Sequence, residues 1–415
     1  MHRALFVRTD ANGHEEGLAA LDPLLWPAST FLVRDPRRAE VADALQAFVD
    51  ANAAALVRDS VRRAVFQRDL WTVFDWLSQP TRDASERATR ADLERRLARV
   101  MGQVALTEEE IRALPDNLAQ ATAAGKYPTD AGDLAADGPF LPADLLGAAG
   151  DWVALEAPCD PSFFSGSLVP IHAEQFAGRS ALSVHLRVPG GRAKALEYLE
   201  RLAAVDAPRV AAPPDVVHWF EPGELPKPVL VLNPDTPQLP AGSAVALVRR
   251  MLLVDRQGRL LVSPLVESVQ IRLFRSFGGD GRPEFRKQQR LVEFVLDRER
   301  LFAGDAGGLR AIGSDESVFE TFATKGYDPF ESPMDLHQRS PHFDRCVGCH
   351  GAPGIFSVQS YTRINSGPGT QLTAPALLPT ARLRAARLAD VDAAAISFKS
   401  QRHDWGVLET LLASH

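Results

Sequence analysis

Apolar positions in the first third of the chain recur at helical spacing. They lie three and four residues apart in three successive stretches: Val41, Leu45, Phe48, Val49 and Leu56; Phe66, Leu70, Val73, Phe74 and Leu77; and Leu93, Leu97, Val100, Met101 and Val104. Thr107 and Glu110 have the spacing of a capping box, which predicts a further short helix. Several amphipathic helices joined by short links are typical of a bundle. Residues 1–147 are therefore predicted to be a helical region.

From about residue 148 the apolar period changes to two. The segment "SALSVHLRV" alternates as a half-buried strand does, and "GGRAKALEYLERLAAV" predicts one helix after it. Further strands are predicted at "KPVLVLN", "SAVALVRRMLLVD", "RLLVSPLV", "ESVQIRLFRSF" and "QQRLVEFVLD". The polar, glycine-containing "VDRQGRL" predicts a hairpin turn between two of them. Short links between neighbouring strands favour an antiparallel sheet, so residues 148–325 are predicted to be an antiparallel α+β domain.

A third composition begins near residue 326, where Gly, Pro, Ser and His are frequent. Two helical stretches follow, around residues 380–396 and 403–413. The predicted fold class is therefore α+β, with an N-terminal helical bundle region, an antiparallel β-rich middle domain and a small, mostly helical C-terminal module at 326–415. The composition change also predicts that residues 1–325 bury their own cores.

Composition excludes several classes of function. The chain has 415 residues, 45% of them hydrophobic, and a formal net charge of -7. No excess of basic residues exists to bind nucleic acid. No apolar run approaches the roughly 20 residues that a membrane-spanning helix needs. The three cysteines are too few for a disulfide framework.

Two of the three cysteines lie in "RCVGCHG", residues 345–351. Two cysteines two residues apart, followed at once by a histidine, have the spacing that attaches haem c. With three cysteines and ten histidines, chance would produce this pattern in roughly one of two thousand such chains. Ser340 and Pro341 predict the start of a short helix that carries Cys346, Cys349 and His350 in its last turn.

Over about seven residues, CVGCHG resembles the attachment motif of c-type cytochromes. The resemblance implies thioether bonds from Cys346 and Cys349 and a proximal iron ligand in His350. One motif implies one covalent haem c per chain, so a two-haem peroxidase arrangement is not available within it. The resemblance covers no more than residues 326–415, and residues 1–325 resemble no family.

The sixth iron ligand departs from the common cytochrome pattern. Every methionine precedes His350, whereas many c-type cytochromes use a methionine downstream of the motif. His403, in "KSQRHDWGVLETLL", is the best downstream candidate, which predicts His350 and His403 as the two axial ligands. The aromatic and aliphatic residues after His403 are expected to pack against the porphyrin. Met334, His337 and His342 are upstream alternatives, and an open sixth site is the runner-up.

Other interpretations of the same cysteines stay open. A zinc ion would take His342, Cys346, Cys349 and His350, although adjacent ligands rarely chelate one tetrahedral ion. A thioredoxin-like dithiol would need a preceding strand, and none is predicted there. A zinc-deaminase interpretation with His172 and Glu174 is weak, because more than 170 residues separate them from the cysteines.

Covalent haem attachment takes place outside the cytoplasm, and the opening "RALFV" is shorter than the apolar region of a secretory signal. We therefore expect a signal peptide that this numbering omits, and a periplasmic or otherwise extracytoplasmic bacterial protein. The expected function is one-electron transfer or haem-based redox chemistry, with a redox partner protein or a small-molecule substrate. The alternative is a non-haem binding or structural protein whose CxxCH holds a metal ion or a disulfide.

Overall fold

A computed structural model defines most of the chain: residues 1–26, 29–79, 84–156, 179–205, 209–211, 230–233, 235–277, 288–319, 328, 330–331, 339–341, 343, 354–359 and 383–414. It contains both helices and an antiparallel sheet, which confirms the α+β class. None of the helices in these ranges combines the length and the apolar character that crossing a membrane requires.

Among the described residues, six α-helices precede the main sheet: α1 (His2–Phe6), α2 (Arg37–Asp50), α3 (Ser60–Leu77), α4 (Ala84–Val104), α5 (Glu108–Arg112) and α6 (Asn117–Ala123). Thr107 and Glu110 form the predicted capping box at the start of α5. Arg63 of α3 donates hydrogen bonds to the backbone carbonyls of residues 103, 104 and 105 at 3.0–3.1 Å. These carbonyls lie at the C-terminal end of α4, where the helix itself offers them no donor. Two short strands, β1 (Arg8–Thr9) and β2 (Glu15–Glu16), pair near the N-terminus.

The main sheet has six antiparallel strands in the order β10-β9-β8-β7-β4-β3. Their bounds are β3 (Val153–Ala154), β4 (Ser180–Arg187), β7 (Ala244–Val254), β8 (Leu260–Phe274), β9 (Gln289–Leu296) and β10 (Leu309–Ala311). The turn between β7 and β8 is the predicted one, with Gly258 at a φ of 78°. The prediction of two strands at 259–277 was wrong, because both predicted segments belong to the single strand β8.

The other α-helices and strands of the described residues follow in chain order. They are α7 (Arg192–Ala203), the paired strands β5 (Arg209–Ala211) and β6 (Leu230–Leu232), α8 (Arg298–Ala303), the paired strands β11 (Ser317–Phe319) and β12 (Arg339–Pro341), α9 (Ile355–Gln359), α10 (Leu388–Ser400) and α11 (His403–Ala413). The predicted helix start at Pro341 was wrong. Pro341 pairs with Ser317 at the end of β12, and Phe343 is already helical.

The hydrophobic cores draw on all three predicted regions. One face of the sheet packs against residues from α3, α5 and α6. Trp405 and Leu408 of α11 join the core that α2, α3 and α4 form. Leu155 also forms an antiparallel bridge with Ala385, which adds the segment before α10 to the edge of the sheet. Part of the C-terminal region thus lies within the main fold, and the boundaries at 147/148 and 325/326 stay predictions.

Candidate functional site

A polar stripe runs along the buried side of helix α3, which Gln67 and Asp69 make more polar still. Arg68, Thr72 and Asp75 follow one another at spacings of four and three residues, and each is at most 5% exposed. Residues at this spacing share one face of a helix. Burying two charged groups there is unfavourable unless each finds a partner of opposite charge. These partners come from the sheet, from an N-terminal loop and from the C-terminal helices.

The first partner is Glu267 on strand β8, which is 1% exposed. The register passes from the pair Arg249–Ser268 to the pair Arg250–Val266, so Glu267 is the extra residue of a β-bulge. The side chain of Asn117 bonds both the N–H (2.7 Å) and the carbonyl (3.0 Å) of Val266 at this interruption. The bulge therefore aims a carboxylate at α3 without leaving the backbone of Val266 unpaired.

Arg68 connects two carboxylates. Its Nε lies 2.6 Å from Glu267 Oε1, and its Nη2 lies 2.8 Å from Asp22 Oδ1. The hydroxyl of Ser180 donates to the second oxygen of Glu267. Burial acts to lower the pKa of Arg68, but Asp22 and Glu267 outweigh it and raise the pKa above its ordinary value. Arg68 is therefore a permanent cation in the protein interior.

Two further arginines converge on Asp22. Arg179 Nε lies 3.2 Å from Asp22 Oδ1, and both Nη atoms of Arg249 lie 3.2 Å from Oδ2. Burial acts to raise the pKa of Asp22, but Arg68, Arg249 and Arg179 outweigh it and hold that pKa well below its usual range. The single carboxylate of Asp22 thus pairs with three guanidinium groups.

The second arm of the network joins α3 to the C-terminal helices. Lys399 of α10 is 0% exposed, and its Nζ lies 2.5 Å from Asp404 Oδ2 and 3.2 Å from Asp75 Oδ1. The same ammonium lies 5.0 Å from the ring centre of Trp71, within cation–π range. Arg179 Nη1 approaches Asp75 at 3.7 Å, so Arg179 links the two arms.

The two carboxyl groups beside Lys399 titrate differently. Burial raises the pKa of Asp75 to about 7, and the neighbouring Asp404 acts in the same direction. Burial also opposes ionisation of Asp404, but Lys399, the hydrogen bond from Asp75 and Arg402 outweigh it and lower that pKa to about 2. Asp75 therefore holds a proton at neutral pH more readily than an ordinary aspartate, and it shares the ammonium group of Lys399 with Asp404.

The haem-motif residues Cys346, Cys349 and His350 lie outside the described residues, as do the alternative ligands Met334, His337 and His342 and the pair His172 and Glu174. His403 is the first residue of α11 and is exposed, within electrostatic range of Glu94 on α4. The prediction that the aromatic and aliphatic residues after His403 pack against the porphyrin was wrong for two of them. Trp405 and Leu408 are 4% and 0% exposed and pack in the helical core, on the side of α11 away from His403.

Sequence reasoning missed the ion network. The available signal was the presence of Arg68 and Asp75 within the apolar stripe of α3, at helical spacing from each other. Their partners lie up to 324 residues away along the chain, so no local pattern identifies them. Among the described residues, no group of three or more His, Cys, Asp or Glu side chains is arranged to hold a metal ion.

Comparisons with known proteins find no relative. No family model matches the chain, no curated protein is significantly similar to it, and no solved structure matches its fold.

Proposed function

We propose that the chain binds one haem c covalently through Cys346 and Cys349, with His350 as the proximal iron ligand. The observation that carries the proposal is the motif CVGCH at 346–350, in a chain that has only three cysteines. The haem, when bound, supplies one-electron redox chemistry at its iron. The protein then acts in electron transfer outside the cytoplasm, with a partner protein or a small-molecule substrate as the electron donor or acceptor.

The cysteines hold the group in place, and the histidines set its electronic properties. Thioether bonds from Cys346 and Cys349 would hold the porphyrin next to His350 in the sequence, so that this imidazole could serve as its iron ligand. For the sixth position we propose His403. Its side chain is exposed at the start of α11, while α11 itself is held by Trp405 and Leu408 in the core. A ligand on such an anchored helix has a defined position without being buried.

Attachment is tested by intact mass and colour. The full chain is produced with an exporting signal and the cytochrome c maturation machinery, and we expect the mass of the polypeptide plus one haem. The Soret band should survive extraction with acidic acetone. Cys346→Ala or Cys349→Ala should leave at most one thioether bond and sharply lower the yield of haem protein. Cys159→Ala is the matched control and should change neither the number of thioether bonds nor the yield of haem protein. A mass equal to the bare polypeptide contradicts the proposal.

The sixth ligand is tested by spin state. Two histidine ligands give low-spin ferric haem, and His403→Ala should convert it to a high-spin form that binds added ligands. His14→Ala is a suitable control, because that side chain is 74% exposed and far from the motif in the sequence. An unchanged low-spin spectrum in His403→Ala would exclude His403 and direct attention to Met334, His337 or His342.

A redox-active dithiol is the second candidate. The observation that favours it is the strand β12, which ends at Pro341, five residues before Cys346, where the sequence predicted no strand. A strand before the cysteines is one part of the βαβ context in which a CxxC redox pair is found. This alternative predicts a colourless protein whose Cys346 and Cys349 form a reversible disulfide. Thiol titration before and after reduction distinguishes it from haem attachment, because thioether sulfurs do not react.

A further inference from the structure

The residues Asp328, Phe330 and Glu331, here called the acidic turn, lie against the N-terminal part of the chain. The N–H of Glu331 donates to the backbone carbonyl of Asp328 at 3.0 Å, and the N–H of Phe330 donates to the Asp328 carboxylate at 2.9 Å. The sequence Asp-Pro-Phe-Glu suits this shape, because aspartate and proline are favoured at the first two positions of a common β-turn. The acidic turn therefore owes part of its shape to its own hydrogen bonds.

Arg8 of β1 is at the centre of the contact with this turn. Its guanidinium group lies between two rings, 4.6 Å from the ring centre of Phe31 and 4.5 Å from that of Phe330. Its Nη1 lies 2.7 Å from Asp328 Oδ2, and the side chains of Arg8 and Asp328 are 3% and 2% exposed. Aromatic faces attract a cation, and the carboxylate pairs with it. The acidic turn thus supplies both a carboxylate and an aromatic face to a buried cation.

Thr30 binds the other end of the turn. Its backbone N–H lies 2.9 and 3.1 Å from the two carboxylate oxygens of Glu331, and its hydroxyl donates to Glu331 Oε2 at 2.8 Å. Trp26 adds an aromatic contact, with its ring centre 6.0 Å from that of Phe330. Both carboxylates and the ring of the acidic turn are therefore contacted by separate groups of the N-terminal part.

The receiving residues are also held by contacts that do not involve the acidic turn. β1 pairs with β2, which holds the backbone of Arg8. Trp26 is 3% exposed, and its carbonyl accepts a hydrogen bond from the indole N–H of Trp76 at 2.9 Å. Phe31 packs against the core that α2, α3 and α4 form. The site is therefore built from residues whose positions the main fold determines.

Arg8 needs an acidic occupant in this site. Within the part of the chain that the structure describes, the carboxylates that pair with Arg8 are those of Asp328 at 2.7 Å and Glu331 at 3.5 Å. A buried guanidinium group that loses its anion is strongly unfavourable, and an uncharged occupant would not compensate it. The chemistry of Arg8 therefore selects an occupant that carries carboxylates.

We propose that Arg8, Thr30 and Phe31 form a recognition site for a peptide turn that presents a carboxylate, an aromatic ring and a second carboxylate, and that the acidic turn of the same chain fills this site. A partner protein that carries such a turn competes for the same groups. Its apparent affinity is reduced by the fraction of molecules in which the site is already filled. This site is independent of the haem proposal.

The experiment uses the full chain and a synthetic peptide of residues 326–332, with blocked ends and a fluorescent label. A triple variant with Asp328→Ala, Phe330→Ala and Glu331→Ala empties the site and keeps the receiving residues. We expect fluorescence polarisation to show saturable binding of the peptide to this variant. Binding should be at least about tenfold tighter than to the unmodified protein, whose own turn competes. A neutral peptide with Asp328→Asn and Glu331→Gln should bind at least about tenfold more weakly, because it offers Arg8 no negative charge.

Two further substitutions, each added to the triple variant, locate the binding. Arg8→Lys keeps the positive charge but loses the planar group that fits between two rings, so it should weaken binding of the peptide. Arg3→Lys is the matched control and should leave binding unchanged, because the Arg3 side chain is 61% exposed and pairs with Glu15. The proposal is wrong if the peptide does not bind the folded triple variant, if Arg8→Lys and Arg3→Lys bind it equally, or if the neutral peptide binds as well as the acidic one.

A milder variant covers the case in which the triple variant does not fold. Glu331→Gln changes one side chain, which is 30% exposed, and leaves Asp328 paired with Arg8. The unlabelled acidic peptide should raise the melting temperature of this variant, whereas the neutral peptide should not. If the triple variant does not fold, the absence of this rise at millimolar concentrations of the acidic peptide overturns the proposal.

Discussion

Asp92 on helix α4 and Asp75 on helix α3 each lie within reach of two basic side chains, yet the two sites differ in nearly every other respect. Asp92 lies 3.1 Å from Arg95 and 2.9 Å from Arg96, and its side chain is 42% exposed. Asp75 lies 3.2 Å from Lys399 and 3.7 Å from Arg179, and its side chain is 6% exposed. Similar distances therefore describe a solvated pair in one case and a desolvated pair in the other.

The difference shows how burial, more than distance, sets the strength of an ion pair. Water screens the charges around Asp92, and exposed pairs of this kind contribute between 0 and about 1 kcal/mol. In the interior, each ion has lost its hydration, so removing one partner leaves a buried charge without compensation. Four predictions test this contrast, and they are ordered from the largest expected effect to the smallest.

Arg68→Met should give the largest loss of stability. Arg68 is the 0% exposed cation that holds both Glu267 and Asp22, and its removal leaves Glu267 buried with much weaker compensation from Arg249 at 3.6 Å. We expect the free energy of unfolding to fall by about 3–5 kcal/mol, measured by urea denaturation at pH 7. The surface variant Arg95→Met is the control. Equal effects of the two variants would contradict the contrast.

Lys399→Met should give the next largest loss. The methionine fills a similar volume but leaves Asp404 with Arg402 at 3.0 Å and Asp75 with Arg179 at 3.7 Å as their remaining cations. We expect a loss of about 3 kcal/mol at pH 8. The loss should be smaller at pH 5.5, because Asp75 is then protonated and only Asp404 loses the stabilisation that Lys399 gave to a buried charge. A loss that is independent of pH would show that Lys399 acts only through packing on Trp71.

Asp75→Asn should change how stability depends on pH. The pKa of Asp75 is raised in the folded protein from 3.8 to about 7. Its contribution to stability is therefore complete below about pH 4 and is lost as the pH rises through 7, with a slope of up to about 1.4 kcal/mol per pH unit. Asparagine resembles the protonated form and does not titrate. Relative to the unmodified protein, the variant should gain stability between pH 5 and pH 8.

Denaturation curves at several pH values provide this measurement, with Asp92→Asn as the control for general effects of charge. If the stability difference between Asp75→Asn and the unmodified protein is constant from pH 5 to pH 8, Asp75 is ionised throughout this range. Burial then does not raise the pKa of Asp75.

Asp92→Ala should have the smallest effect. The aspartate pairs with arginines three and four residues along the same exposed helical face, and such pairs contribute only a few tenths of a kcal/mol. We expect a loss below about 0.5 kcal/mol at low ionic strength, and less in 0.5 M salt because of screening. A loss comparable to that of Lys399→Met would mean that exposure does not distinguish the two classes of pair.

Much of the local structure of this protein follows from its sequence. The helical stripes of α3 and α4, the capping box at Thr107 and the turn at Gly258 are short-range patterns, and the structure contains all of them. The strand β4 is also present, but its predicted half-buried alternation was wrong, because strands on both sides of β4 place it inside the sheet and most of its residues are buried on both faces. The start of the helix near Pro341 and the continuity of β8 were missed, because each depends on a pairing partner elsewhere in the chain.

The haem motif and the ion network differ most in how far they can be predicted from the sequence. Cys346, Cys349 and His350 form a motif within five residues, so the sequence alone is enough to predict a chemistry for them, and the haem site stays a prediction to be tested. The network is assembled from Asp22, α3, two central strands and α10, which only folding brings together. Charged residues so far apart appear in the sequence as ordinary surface residues, and only the tertiary structure buries them. Burial then couples their charges strongly, because it removes the water that would otherwise screen them.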